Sequence, residues 1–225
     1  LSVGVWDDKS ALTAWPKFGV QIGAAAIAIY FGFRIDHITD PLSHQPWTMP
    51  LWLSWIVTTL WIVGVTNAVN LIDGLDGLAT GVSAIIGTTL TIICWQVDQR
   101  LGVLFGAALV GGLLGFLPFN FSPARIFLGD TGALFIGYML SLLALEAYAK
   151  IALLTFVVPL LALALPLMDT GLSILRRLLR RRGVFSADKQ HIHHRLLEAG
   201  RSQRAAVLSL YFLTACFCVI ALAFT

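Results

Sequence analysis

Charge is scarce in this chain. Of its 225 residues only 12% are Asp, Glu, Lys or Arg, against 58% hydrophobic, and the mean hydropathy is +0.84. Soluble domains carry about twice that share of charge, so an ordinary aqueous fold is excluded. Cysteine is also rare: Cys94, Cys216 and Cys218 all lie in apolar runs, and their odd number and spacing match neither a disulfide framework nor a zinc site. They read as small core or lipid-facing residues. A net charge of +3 is too small to indicate a nucleic-acid partner. The chain opens at Leu1 and meets Asp7-Asp8 at once, so a preceding N-terminal part is expected.

What the sequence does contain is long apolar runs. A hydrocarbon core about 30 Å thick needs roughly 20 apolar residues per helical span. Seven stretches approach or reach that length: 16–35, 50–67, 78–95, 101–118, 131–149, 151–168 and 206–225. Helices satisfy their backbone groups internally, whereas an open sheet in lipid cannot. The expected fold is therefore all-α, a polytopic transmembrane helical bundle of about seven spans with no need for strands. Pro159 and Pro166 should kink the sixth span. With seven spans the connections alternate between two sides. Twelve of the 15 Lys and Arg residues then fall on one side, leaving Arg34, Arg100 and Lys150 on the other. The positive-inside rule makes the first side cytoplasmic, with the arginine-rich run 176–182 as an anchor near anionic headgroups.

The same threading brings four polar segments to the cytoplasmic face: Asp7-Asp8, 67–77, 120–130 and 169–204. In the second, Asn67, Asn70, Asp73 and Asp76 recur every third residue and would form a stripe along a helix. Asn70 and Asp73 could share a cation through hard oxygens, and Gly74 and Gly77 would admit a ligand close to the backbone. A helix cap followed by a glycine turn explains the spacing equally well. Asp130 can cap the fifth span and bind a metal as well, since a carboxylate has several lone pairs. Arg125 suits a diphosphate, and Phe127 offers a face for a stacked base. His191, His193 and His194 beside Arg195 suit phosphate oxygens. A zinc site there would lack any Cys, and chance clustering in a polar loop is the remaining reading.

Taken together, Asp7-Asp8, NAVNLIDGLDGLA (67–79), 120–132 and DKQHIHHR (188–195) resemble the polyprenyl-phosphate N-acetylhexosamine-1-phosphate transferases, in the family's order and over nearly the whole chain. The resemblance implies one transmembrane transferase domain over residues 1–225, with cytoplasmic loops 67–77, 119–130 and 170–205 forming the active site in a bacterial plasma membrane. It implies a Mg2+-dependent reaction, with Mn2+ as a substitute, between a UDP-N-acetylhexosamine and undecaprenyl phosphate that releases UMP. The positions matching Asp130 and Asn70 would hold the metal. Asp7 and Asp8 would activate the lipid phosphate, Asn67, Asp73, Asp76, Asn120, Arg125 and Phe127 would line the nucleotide region, and His191, His193, His194 and Arg195 would contact phosphate or sugar. The HIHHR form is similar to the branch using UDP-GlcNAc, whose products lead to lipopolysaccharide or teichoic acid. The phospho-MurNAc-pentapeptide branch of peptidoglycan synthesis is the alternative. Members have about three further spans before the acidic pair, and a homodimer is left open. A transporter or a non-catalytic lipid-binding scaffold are the rival classes; transport sites tend to lie near the bilayer midplane, unlike acids gathered at one interface.

Overall fold

The structure, a computed structural model, describes residues 4, 8, 14–39, 46–148, 157–179 and 191–225. Asp7, the residues 180–190 and the side chain of His193 lie outside the described residues. The chain order is α1 (Ala14–Tyr30), β1 (His37–Thr39), β2 (Pro46–Thr48), α2 (Leu51–Ile72), α3 (Leu78–Gln96), α4 (Arg100–Asn120), α5 (Gly129–Tyr148), α6 (Val157–Ala162), α7 (Ala164–Leu179), α8 (Ile192–Glu198) and α9 (Gln203–Ala223).

Five of these helices, α2, α3, α4, α5 and α9, are long and apolar enough to cross a membrane. The first expected span is a 17-residue helix, α1, at the lower limit for crossing. Helix α3 is the centre of the bundle, with α4, α5 and α9 packed around it, while α2 packs on α5. Small residues let these helices close up. A Cβ at Gly106 would lie 2.1 Å from Thr91 Oγ1, and one at Gly137 would lie 2.8 Å from the Thr66 backbone. The outer faces keep large apolar side chains exposed, such as Leu60 on α2, Leu104 on α4 and Phe212 on α9. Exposed Trp52 and Trp95 lie near one end of the bundle and Trp15 near the other, as tryptophans at membrane interfaces do.

One feature departs from the sequence expectation. A small antiparallel hairpin forms between α1 and α2, with His37 opposite Thr48 and Ile38 opposite Trp47. The Ile35 amide donates to Thr58 Oγ1 at 3.0 Å, and Ser54 Oγ donates to the Ile35 carbonyl at 2.7 Å. These bonds dock the extended chain on α2. The sixth span is broken at Leu163, as its prolines suggested. Pro166 has no amide to give the Ala162 carbonyl, and its ring presses on that group; Cys218 Sγ lies 3.9 Å from the Ala162 oxygen. Beyond the break α7 continues to Leu179, so the start of the expected 170–205 loop is helical. Met168, Leu172, Leu175 and Leu179 form one exposed apolar stripe on it. Arg176 and Arg177 sit in its last turn, where the helix dipole favours cations.

Tyr211 of α9 clamps the corner between α2 and α3. Its hydroxyl donates a short hydrogen bond to the Gly77 carbonyl, and its ring lies where a Gly81 side chain would stand. Tyr211→Phe removes this bond, leaving that carbonyl with the Gly81 amide alone, and should lower stability by about 1 kcal/mol, read by chemical denaturation in detergent.

Candidate active site

A cavity of about 380 Å³ opens at the end of the bundle where the acids gather. Asn70, Asp73 and Asp76 line it from the α2–α3 corner, Asn120, Phe127 and Asp130 from the α4–α5 connection, and Asp8 from the start of the chain.

Helix α2 stops at Ile72, where the Asp73 amide bonds the Asn70 carbonyl. Gly77, with φ of 78°, then begins α3 from a left-handed conformation that a side chain would resist. The polar stripe therefore leaves the helix after Asn70, and Asp73 and Asp76 turn across the cavity. Asn67 lies a turn earlier and does not line it. Its Nδ2 donates to Gln21 Oε1 at 2.6 Å and to the Val63 carbonyl at 2.7 Å, tying α2 to α1.

The 121–128 connection is held from both sides. Buried Asn120 donates to the Ile126 carbonyl at 3.0 Å and accepts from Thr80 Oγ1 at 2.7 Å. Asp76 Oδ2 accepts from the Ala124 amide at 3.1 Å. This leaves Phe127 74% exposed on the cavity wall. Arg125 is directed elsewhere: it lines a separate cavity with Phe121, Pro123 and Tyr211, and the structure does not bring it to Asp130.

The expectation that Asp130 caps the fifth span is corrected. Asp130 lies inside the first turn of α5, where its own amide needs an acceptor. The cap is Asp8, whose carboxylate accepts from the Asp130 amide at 2.9 Å, the Thr131 amide at 3.3 Å and the Thr131 hydroxyl. Gly129 makes room, since a Cβ there would stand 3.1 Å from both Asp8 oxygens. The Asp130 carboxylate turns instead to Lys17, whose Nζ is 2.8 Å from Oδ2. Sequence reading counted Lys17 only as a charge on the cytoplasmic side. Its signal was a lone lysine within an apolar run.

Lys17 also opens onto a larger, mainly apolar cavity of about 640 Å³ between α1 and α5, which passes Val20, Phe135 and Met139 and reaches Ile27. Ile27 lies ten residues beyond Lys17 on the same helix, so this groove runs about 15 Å along α1. An acid-lined pocket and an apolar groove thus meet at the Lys17–Asp130 pair.

The pocket favours positive charge. Burial, and then the neighbouring Asp130 and Asp76, push the Asp73 carboxyl up to about 6. Asp130, Asp73, Asp8 and Asn70 offer hard oxygen donors, which fit Mg2+. That ion takes one or two protein carboxylates and completes its shell with water and phosphate. Among the described residues no three His, Cys, Asp or Glu side chains are grouped to hold an ion by themselves.

The histidine segment is arranged differently from the expectation. His191 is buried, and Asp169 of α7 holds it at Nδ1, 2.9 Å away. The other Asp169 oxygen accepts from the Ile192 amide at 2.9 Å. The His194 ring centroid lies 6.5 Å from that of His191, and Arg195 is exposed on α8. None of the three lines the acidic cavity.

Residues 1–148 match the family model for glycosyl transferase family 4, and the chain belongs to that family. It is 40% identical over 221 residues to a probable undecaprenyl-phosphate N-acetylglucosaminyl 1-phosphate transferase of Bacillus subtilis, which covers 98% of this chain and 62% of that protein. It is 37% identical to a decaprenyl-phosphate N-acetylglucosaminephosphotransferase of Mycobacterium leprae, over 93% of this chain and 58% of the relative. A phospho-N-acetylmuramoyl-pentapeptide-transferase of Levilactobacillus brevis is 38% identical over 68% of this chain and 50% of its own length. The chain thus spans about three fifths of the length of the first two relatives.

Proposed function

We propose that the protein transfers N-acetylhexosamine 1-phosphate, with GlcNAc as the sugar, from a UDP-sugar to undecaprenyl phosphate, starting a cell-envelope polysaccharide at the bacterial plasma membrane. The observation that carries this reading is the junction of acidic pocket and apolar groove at Lys17–Asp130. A lipid phosphate has one end suited to each. The isoprenoid chain lies along Val20, Phe135 and Met139, and the phosphate reaches Lys17.

In the reaction an oxygen of the lipid phosphate attacks the sugar-bearing phosphorus of the UDP-sugar. The bond from that phosphorus to the bridging oxygen breaks, and UMP leaves with the electron pair. A lipid phosphate is mostly dianionic at neutral pH, so positioning and charge neutralisation dominate over base catalysis. Asp130 and Asn70 would hold Mg2+, which neutralises phosphate charge when bound. Lys17 orients the attacking phosphate, Phe127 stacks the base, and Asp73, Asp76 and Asn120 shape the nucleotide side. Asp8 fixes the start of α5 and so the direction of Asp130.

UMP release from UDP-GlcNAc with undecaprenyl phosphate by the full-length protein tests the proposal, and no release would overturn it. Turnover of UDP-MurNAc-pentapeptide in its place would favour the peptidoglycan branch, whose representative matches less of this chain. The active end is assigned to the cytoplasm by its Lys and Arg excess. A single cysteine at exposed Ala199 should resist an impermeant maleimide in intact cells and react after lysis; labelling before lysis would reverse the orientation.

A further inference from the structure

We propose that Asp169 and His191 form a buried anchor that positions α8 against the loop carrying Asp73 and Asp76, with His191 acting through this anchor and not as a substrate contact. This inference rests on the transfer reaction proposed above. His191 and Asp169 keep only 7% and 3% of their side chains exposed, and their 2.9 Å contact spans 22 residues of sequence. A buried carboxylate without partners would be costly, and here both oxygens are used, Oδ2 by His191 Nδ1 and Oδ1 by the Ile192 amide. Asp169 therefore fixes the ring of His191 and the first peptide of α8 together. Accepting at Oδ2 from Nδ1 selects the tautomer with its hydrogen on Nδ1.

The anchor also determines what α8 stands beside. Ile192 and Asp169 line a small void of about 10 Å³ with Ile72 and Leu78. Ile72 immediately precedes Asp73, and Leu78 immediately follows Gly77. The anchored end of α8 is therefore packed on both flanks of the loop that carries Asp73 and Asp76. From that fixed end the helix carries His194 and Arg195 outward, both more exposed than His191. Asp169 is thus a positioning residue, acting through His191 and the Ile192 amide.

Two substitutions separate the anchor from direct contact. His191→Asn places an amide nitrogen where Nδ1 stands, able to donate to Asp169. His191→Gln reaches instead to where Nε2 stands. Hydrogen–deuterium exchange over residues 192–198 should stay near wild type in the Asn variant. In the Gln variant it should be faster by about tenfold, the scale of one lost hydrogen bond to a charged group, with α3 unchanged in both. kcat/KM for UDP-GlcNAc should be at least about tenfold higher in Asn than in Gln, because even a small misplacement of a positioned element costs turnover on that scale or more. Equal exchange in the two variants, or activity retained by Gln and lost by Asn, would overturn the anchor and return His191 to the substrate. A wild-type protein that releases no UMP would overturn the proposed reaction, while the exchange measurement would still decide the anchor.

Discussion

Asp130→Asn is expected to lose turnover by about a hundredfold or more, on the scale of losing a key electrostatic group, while its melting temperature changes little. The structure removes the competing explanation. Asp130 does not cap α5, because Asp8 does, so the substitution leaves the helix start intact. Among its contacts it loses the ion pair with Lys17, a part-buried pair whose side chains are 23% and 34% exposed. Pairs that still face solvent contribute up to about 1 kcal/mol, which for a chain of this size is a shift of about 2–4 °C. In the proposed reaction, turnover should depend on the same oxygen more steeply. A hard dication prefers an anionic donor, and an amide beside Lys17 no longer balances the ammonium. UMP release across a Mg2+ titration, beside thermal unfolding in detergent, separates the two effects. Near-normal turnover at ordinary Mg2+ would leave Asp130 with the ion pair as its only role.

The distinction between what was legible in the sequence and what was not follows the distance over which each feature is built. Apolar runs, the break near Pro166, and the buried or half-buried cysteines are local properties, and the structure carries them. The gathering of Asp73, Asp76, Asn120 and Asp130 was also legible, because alternate threading places loops on a common side whatever their detailed packing. The direction of individual side chains was not. Asn67 shares the three-residue spacing of the stripe, but its partner Gln21 is 46 residues away and on another helix. Arg125 lies only five residues from Asp130, yet in the 121–128 connection, tied by the bonds from Asp76 and Asn120, it lines a separate cavity with Phe121 and Tyr211. The hairpin was missed because 37–48 is polar and short, with no membrane requirement to fix its conformation.

The roles of Lys17 and Asp169 were hidden for the same reason. Each gains its meaning from a carboxylate or imidazole brought by tertiary packing, at separations of 113 and 22 residues. A lone lysine inside an apolar run and a lone aspartate at the end of another are both costly in a membrane unless paired. Read by that rule, each asks for a partner, but only the fold names it.

The second large effect is expected at Asp8, where cap and charge coincide. Its carboxylate accepts from the Asp130 amide and from both the amide and hydroxyl of Thr131, so it sets the first turn of α5. If capping were its whole contribution, any good cap should serve. Asp8 reaches α5 from outside the helix, and by analogy with N-cap residues Asn keeps an acceptor oxygen at the same reach and Ser a shorter one, whereas Ala keeps none and costs about 0.5–2 kcal/mol. Asp8→Asn should therefore melt close to the wild type, Asp8→Ser somewhat lower, and Asp8→Ala lower still. Activity should not follow that order. Asp8 lines the same cavity as Asp73, Asp76 and Asp130, and in the proposed reaction its charge would help hold the cations that a phosphate dianion and a diphosphate require there. All three variants should lose turnover by about a hundredfold or more, the range of removing a charged group that assists proton or phosphate transfer. Activity in Asp8→Asn close to the wild type, with Asp8→Ala impaired, would reduce Asp8 to a cap. Loss in all three, with stability retained in Asn, would give the carboxylate a part in the chemistry as well as in the fold.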